Sequence, residues 1–487
     1  MRIRDLIPEE QLNENTELLN ENVDKCTANH RVSDEKTLLF LLPGVKFDTY
    51  TLAGEFLKSK CAAIVTEDSS RFPSSSSKII VVKNARLCFS HASSKLANID
   101  YGSLTFIGVT GTNGKTTSAT MILKILTDAG IKCGFIGTGK IFFDGINYAE
   151  KNYSMTSPDP DVLYPILSDM QKRGCTTVVL EASSHALALD KLSPIPFKIG
   201  IFTGMSHEHL EFHKTMENYF LAKSRLIEKS EIGIVNCDDE WGKKLYEKHK
   251  NKTIAVGMLT RCDAYAYDIK SNGIFQTEYL LSFKDFSTKI SLSMPGVYNV
   301  YNSLFAFVAS YCMNVKIQSI KDSLISLSHV DGRFETIVDY PTVVIDYAHT
   351  PYALESVLKT IKAALKAKQN ITLVFGCGGE RDPSKRPLMA RAAETFADKI
   401  IVTGDNPRGE DEKKIFSDIV SGFTMKKHCI IKDRALAIEY AIKQANDDDI
   451  VVIAGKGHEK YIRDKNGVHE FDEKSIVANS LKLRKRT

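Results

Sequence analysis

Between the apolar run "LTFI" and the helix-like stretch "SATMILKILTDAG" lies "GVTGTNGKTT", Gly108 to Thr117, which brings glycines, a lysine and threonines into close succession. Strand, glycine turn and helix in that order suit a phosphate cradle. Glycines let backbone N–H groups approach phosphate oxygens, and a helix N-terminus adds its partial positive charge. Gly111, Thr112, Asn113, Gly114 and Thr117 would form the cradle, Lys115 would reach the β- and γ-phosphates, and the Thr116 hydroxyl would bind Mg²⁺. Val109 stands where the commonest phosphate-loop spacing has its first glycine. Such a loop does not by itself separate a ligase from a kinase, a motor or a switch.

These residues act together only if the fold gathers them. A chain of 487 residues is too long for one core and predicts two to four domains. With 43% hydrophobic and 25% charged residues it has the composition of a soluble globular enzyme. No apolar run approaches the roughly 20 residues of a membrane span. The start, "MRIRDLIPEEQLNENTELLN", turns acidic before any long apolar segment, so it does not read as a signal peptide, and a cytoplasmic location is expected. The ten cysteines show no C-x-x-C pair and read as reduced core residues rather than disulfides or zinc ligands. A net charge of +4, with basic residues interleaved among acidic ones outside the tail "LKLRKRT", gives no support to nucleic-acid binding.

The first hundred residues alternate short apolar runs ("TLLFLL", "CAAIVTE", "KIIVVKN") with helix-like pieces, and predict a small α/β domain over 1–103. The Ser-rich "EDSSRFPSSSSK" is a surface loop by composition. From Leu104 strands and helices alternate through "TTVVLEASSHA", "IGIFTGMSHEHL" and "EIGIVNCDDE", predicting a phosphate-loop ATPase-type domain with a mostly parallel sheet over 104–332. From Arg333 the runs "TVVIDYAH", "ITLVFGCGGERD", "KIIVTGDNPR" and "IVVIAGKGHEK" predict a Rossmann-like doubly wound domain over 333–487, with loops at the strand C-termini where ligands bind. The fold class is therefore α/β in three domains.

"TGTNGKTT" resembles the ATP loop of the Mur ligase family, the ATP-dependent amide ligases that build the peptide of the bacterial cell wall. Other stretches follow in the family's order to about residue 480. "LEASSHALALDKL" resembles E-V-S-S-H-A-L, which implies that Glu181 holds Mg²⁺ and that Ser183 and Ser184 line the substrate channel, with Thr156 and Ser157 nearby. "FTGMSHEHLEFH" resembles F-T-N-L-T-x-D-H-L-D-F-H and makes His209 a second Mg²⁺ contact. "NYFLAKSRLIE" resembles Y-x-x-A-K-x-x-L-F, whose lysine, here Lys223, is carbamylated by CO₂; without the resemblance Lys223 reads as a solvated helix residue. A carbamate turns a cation into an anion able to orient Mg²⁺. The resemblance further implies nucleotide contacts for Asn299, Asn302, Arg333, Asp346, Tyr347 and His349. Either asparagine could equally be a helix cap.

In the last domain "GERDPSKRPLM", "GDNPRGE" and "AGKGHEKY" are similar to family members that add meso-2,6-diaminopimelate. Arg408 would take the far carboxylate of that amino acid in a guanidinium fork. Arg386 is expected to bind a carboxylate too, with Asp405, Asn406 and Pro407 completing the loop and Gly455 and Glu459 holding the distal ammonium. The implied reaction uses MgATP to phosphorylate the D-glutamate carboxylate of UDP-N-acetylmuramoyl-L-alanyl-D-glutamate, and the diaminopimelate amine then displaces phosphate. A monomer is expected. The first domain departs from the family: Arg31, Gly44 and Asp48 align, while His30, Thr49 and Tyr50 replace the usual serine, glycine and histidine, and Lys191 stands for an arginine that meets the substrate's phosphates. L-lysine or L-ornithine as the added amino acid, another carboxylate acceptor, and a non-catalytic nucleotide-binding protein are the alternatives.

Overall fold

The computed structural model describes residues 1–13, 17–44, 47–73, 76–149, 155–366, 368–425 and 428–484. Residues 74 and 75 of the Ser-rich stretch and 485–487 of the basic tail lie outside it. Three sheets follow one another along the chain. The first has four parallel strands in sequential order, Lys25–Thr27, Thr37–Phe40, Ala63–Thr66 and Ile79–Val81. The middle two are buried at every residue, because helices cover both faces of the sheet.

The second sheet has eleven strands. Its parallel centre contains Thr105–Thr110 flanked by Thr177–Glu181 and Phe197–Phe202, with Ile232–Asn236 and Thr253–Gly257 beyond. Antiparallel strands extend it at both ends, among them Gln276–Phe283, where buried and more exposed residues alternate. That alternation is the mark of a sheet covered on one face, a feature the βα reading of this region passes over. The third sheet runs parallel through Thr342–Asp346, Ile450–Ala454, Ile371–Phe375, Lys399–Val402 and His428–Ile430, with Glu335–Ile337 antiparallel at the edge.

The C-terminal ends of the second and third sheets face a shared cleft of about 600 Å³. Glu181 at its strand end and the loops after Thr110, Phe202, Asp346, Phe375, Val402 and Ala454 all reach it, the position where open α/β sheets bind ligands. Asp331, just before the last unit, pairs with Lys140 of the second unit and, at 3.9 Å, with Lys474 of the last one, and so ties the two together. The first sheet's unit joins the second through Thr27, which donates to Asp161 at 2.7 Å, and Ser90, which donates to the Asp190 carbonyl at 2.7 Å. Among the described residues no helix is long and apolar enough to cross a membrane.

Candidate active site

The phosphate loop joins strand Thr105–Thr110 to helix Lys115–Asp128. At Gly111 a Cβ would lie 1.9 Å from the Thr203 hydroxyl, so the turn requires glycine. Thr203 in turn donates to the Asn113 carbonyl at 2.6 Å, and the Thr112 N–H donates to the Gly204 carbonyl at 2.9 Å, so the strand next door fixes the loop. The Lys115 ammonium folds back onto the carbonyls of Gly111 and Thr112, at 3.0 and 2.9 Å. Burial lowers its pKa, with Glu181 and Glu208 opposing that shift. Thr112 to Thr117 line the cleft.

Glu181 ends its strand fully buried. It accepts from the hydroxyls of Thr116 at 3.0 Å and Thr138 at 3.2 Å and from the Thr138 N–H at 3.1 Å. A buried carboxylate with only neutral donors suits a cation beside it. Among the described residues no three His, Cys, Asp or Glu converge as a complete metal site. That donor set fits Mg²⁺, which keeps several waters and takes one or two carboxylates plus substrate phosphates. His209 lines the same cleft with its backbone in the left-handed region at φ 58°.

Lys223 lies in helix Met216–Lys229, buried, and donates to the Gly111 carbonyl at 2.7 Å. Burial, then the neighbouring Lys115, push its pKa well below the usual lysine value. A lowered pKa favours the neutral amine, the form able to attack CO₂.

Asn299 and Asn302 do not cap a helix. They sit inside helix Val297–Cys312, where Asn302 accepts from Ser118 at 3.1 Å and donates to Asn299 at 3.0 Å, bracing the phosphate-loop helix. Arg333 stacks over the Tyr347 ring at 4.3 Å and reaches the Thr116 hydroxyl at 3.4 Å. Asp346 accepts from the backbone of Phe334 at 2.6 Å and Ala348 at 2.7 Å, which shapes the hinge at the start of the third sheet. His349 meets Glu208 at 3.1 Å, a contact between the second and third sheets' loops. Burial alone would raise the Glu208 pKa, yet His349, His209 and Lys385 hold it well below the usual range.

On the far side of the cleft Arg408 lies at φ 54°, its guanidinium held by the carbonyls of Gly379 at 2.8 Å and Asn406 at 3.3 Å. Burial and the nearby Arg381 lower its pKa. Arg381 also lines the cleft, and neither arginine has a salt-bridge partner among the described residues. Two guanidiniums with no ion-pair partner, although Asp405 and Glu459 act on Arg408 from a distance, could take an anion between them. Beside them Asn406 donates to Glu459 at 2.8 Å, while the buried Lys456 donates to Asn406 at 3.1 Å and to Glu459 at 3.2 Å. Gly455 has φ 118°, with Asp405 directly against it.

Two segments match family models: residues 109–310 the Mur ligase middle domain and residues 332–457 the Mur ligase, glutamate ligase domain. Over 95% of its length the chain is 36% identical to UDP-N-acetylmuramoyl-L-alanyl-D-glutamate–2,6-diaminopimelate ligase 1 of Clostridium acetobutylicum, covering 96% of that protein. The chain belongs to the Mur ligase family. A solved UDP-N-acetylmuramoyl-L-alanyl-D-glutamate–2,6-diaminopimelate ligase superposes over 100% of both chains with TM-score 0.70 at 29% identity. The MurF ligase of Thermotoga maritima, solved in complex with ADP, shares the fold at TM-score 0.60 and 18% identity, over 97% of this chain and 100% of that one.

Within this Mur ligase several expected site residues do not reach the cleft. Arg386 is fully buried and makes a paired contact with both oxygens of Glu410, at 2.7 Å each, and a bond to Asp418 at 2.8 Å. Its expected role as a carboxylate receptor is therefore corrected: its charge is already spent on two side chains, and the arginine that faces the cleft from this segment is Arg381. Ser183 caps the short helix Ser184–Ala188, Ser184 bonds His213 at 3.0 Å, and Ser157 donates to the Glu181 carbonyl at 3.0 Å, so all three shape the wall without lining the cleft. Thr156 does line it and bonds Thr138 at 3.0 Å. Pro407 is buried outside the lining. Lys191 pairs with Asp159 at 2.7 Å, and Arg31 is exposed on the first unit, both away from the cleft. Lys456, Arg381 and Glu208 were missed. The first two sit in "AGKGHEKY" and "GERD", beside residues that were singled out, and Glu208 precedes His209.

Proposed function

We propose that the chain joins meso-2,6-diaminopimelate to the D-glutamate carboxylate of UDP-N-acetylmuramoyl-L-alanyl-D-glutamate at the expense of ATP, a step of peptidoglycan precursor synthesis. The observation that carries the reading is the unpaired Arg381–Arg408 couple facing, across one cleft, the phosphate loop. Diaminopimelate has a far carboxylate for two guanidiniums to grip and a far ammonium for Glu459; L-lysine and L-ornithine lack that carboxylate.

Backbone N–H groups of the phosphate loop hold the triphosphate, and Lys115 leaves its own carbonyls to meet the β- and γ-phosphates. The substrate carboxylate attacks the γ-phosphorus and ADP departs, leaving an acyl phosphate. The amine of diaminopimelate attacks the acyl carbon, phosphate leaves with the bonding pair, and the amine's surplus proton passes to solvent or phosphate. Lys115 and Arg333 stabilise charge on the transferring oxygens, the dominant contribution in phosphoryl transfer. Mg²⁺, held by Thr116, Glu181 and His209, would supply further charge neutralisation there. A carbamate on Lys223 would place an anion beside Lys115 that orients the metal's waters, and the lowered pKa of Lys223 supports it.

The three-unit division at 1–103, 104–332 and 333–487 assigns the uridine end, ATP and the amino acid to successive units. A cytoplasmic monomer accords with ATP as co-substrate, ten free cysteines and a cleft completed within one chain. The test is ADP release with UDP-N-acetylmuramoyl-dipeptide and MgATP, offering meso-diaminopimelate, L-lysine and L-ornithine separately. Stimulation by diaminopimelate alone is expected; equal stimulation by L-lysine would overturn the assignment.

A further inference from the structure

Two cysteines that the reaction does not use meet beside the nucleotide part of the cleft. Cys237 follows strand Ile232–Asn236, and Cys262 lies in the loop before strand Ala264–Asn272. Strand Thr253–Gly257 runs beside both and ends on a glycine for a steric reason. A Cβ there would lie 2.7 Å from the Cys237 sulfur, 3.0 Å from an Asp238 oxygen and 3.1 Å from the Cys262 sulfur. Two sulfurs so close to one point are within about 6 Å of each other, inside the reach of a disulfide after a small loop movement. Each sulfur lies close enough to the other to shift its titration, drawing the Cys237 pKa down against burial and pushing that of Cys262 up. One sulfur thus gains thiolate character next to a second that can resolve its oxidised form.

The neighbouring residues connect this pair to the cleft. Asp238 accepts the backbone N–H groups of Met258 at 2.6 Å, Leu259 at 3.0 Å and Thr260 at 2.8 Å, and the Tyr301 hydroxyl at 2.8 Å. Asp238, Leu259 and Tyr301 all line the cleft near Asn299. The loop that carries Cys262 is therefore pinned to the residue that follows Cys237, and any change in the sulfur–sulfur distance moves cleft wall.

We propose that Cys237 and Cys262 are a reversible oxidation site at which a hydroperoxide forms a disulfide that weakens ATP binding. The Cys237 thiolate attacks the peroxide, breaking its O–O bond to give a sulfenic acid and hydroxide or alkoxide, which takes up a proton. The Cys262 sulfur attacks the sulfenic sulfur, forming the S–S bond and releasing water. Two thiols and one hydroperoxide thus give one disulfide, one water and one further water or alcohol. Drawing Cys262 toward Cys237 shifts residues 258–260, Leu259 among them, from the Asp238 carboxylate that now holds them. In a reducing compartment such a bond is transient, as redox-sensing disulfides are.

The test uses the full-length reduced protein, treated with hydrogen peroxide and alkylated, with non-reducing peptide mapping and titration of MgATP in parallel. The expected result is a Cys237–Cys262 cross-link with a Kd for ATP raised at least fivefold and restored by dithiothreitol. Cys262→Ser and Cys237→Ser should keep the reduced protein's affinity and lose the response. A peroxide dose that oxidises the exposed Cys429 while both thiols stay free would overturn the proposal. So would a cross-link that leaves the ATP affinity unchanged, or a response that persists in either variant. Because ATP binding alone is read, the outcome does not depend on which amino acid the ligase adds.

Discussion

Replacing Arg386 by alanine distinguishes an arginine that holds the fold from one that holds substrate. Its bonds to Glu410 draw that carboxyl from an ordinary value of 4.5 down to about 2. At about 1.4 kcal/mol per pH unit the shift alone amounts to about 3 kcal/mol. Glu410 is near the surface, and solvent screening leaves about 2 kcal/mol of that. Loss of the Asp418 bond and the void at a fully buried position bring the total to about 3–5 kcal/mol, the usual cost of removing one partner of a buried ion pair. For a unit of this size the melting temperature then falls by roughly 6–20 °C. Glu410's folded pKa lies below its unfolded one, so its share is fully present above about pH 4.5 and is lost as pH falls toward about 2. The stability gap between wild type and Arg386→Ala should therefore be wide at pH 7 and narrow progressively in acid. Thermal unfolding followed by circular dichroism across this range, paired with steady-state kinetics at neutral pH, measures both effects. An unchanged melting temperature together with a tenfold rise in the KM for diaminopimelate would refute the structural role and return Arg386 to the substrate.

Arg381→Ala should do the reverse, raising the KM for diaminopimelate at least tenfold while the melting temperature moves by no more than a few degrees; equal kinetics would remove Arg381 from the anion receptor. Arg408→Lys keeps the charge but loses the fork, and about 1.5 kcal/mol for a charged hydrogen bond predicts a KM at least tenfold higher, again read by steady-state assay. Lys223→Ala should abolish amide formation while ATP still binds, and added bicarbonate should not restore it; normal turnover in this variant would exclude a carbamate from the reaction. His349→Ala removes the contact with Glu208 between the two sheets' loops, and a loss of about 1 kcal/mol predicts roughly a fivefold rise in the KM for ATP, with the unfolding transition unchanged.

The strand–turn–helix order around Gly111–Thr117, the three successive α/β units and the position of Glu181 at a strand end were legible in the sequence, because glycine turns, apolar runs and strand termini are local properties of the chain. The hairpins at the edges of the second sheet were less so, since alternate burial looks much like loop polarity when the covering layer is unknown. Charge partners were not legible at all. Arg381 and Arg386 stand five positions apart in one segment, one facing the cleft and the other locked to Glu410 and Asp418 from a later stretch of chain. Lys223 reads as a solvated helix residue until packing buries it against the phosphate loop beside Lys115, and Cys237 and Cys262 look scattered until a glycine on the strand between them makes room for both sulfurs. Local sequence fixes what each residue can do chemically. Which arginine is free, which lysine is buried and which thiols lie together depend on partners distant in the chain, and only the packed tertiary structure supplies those.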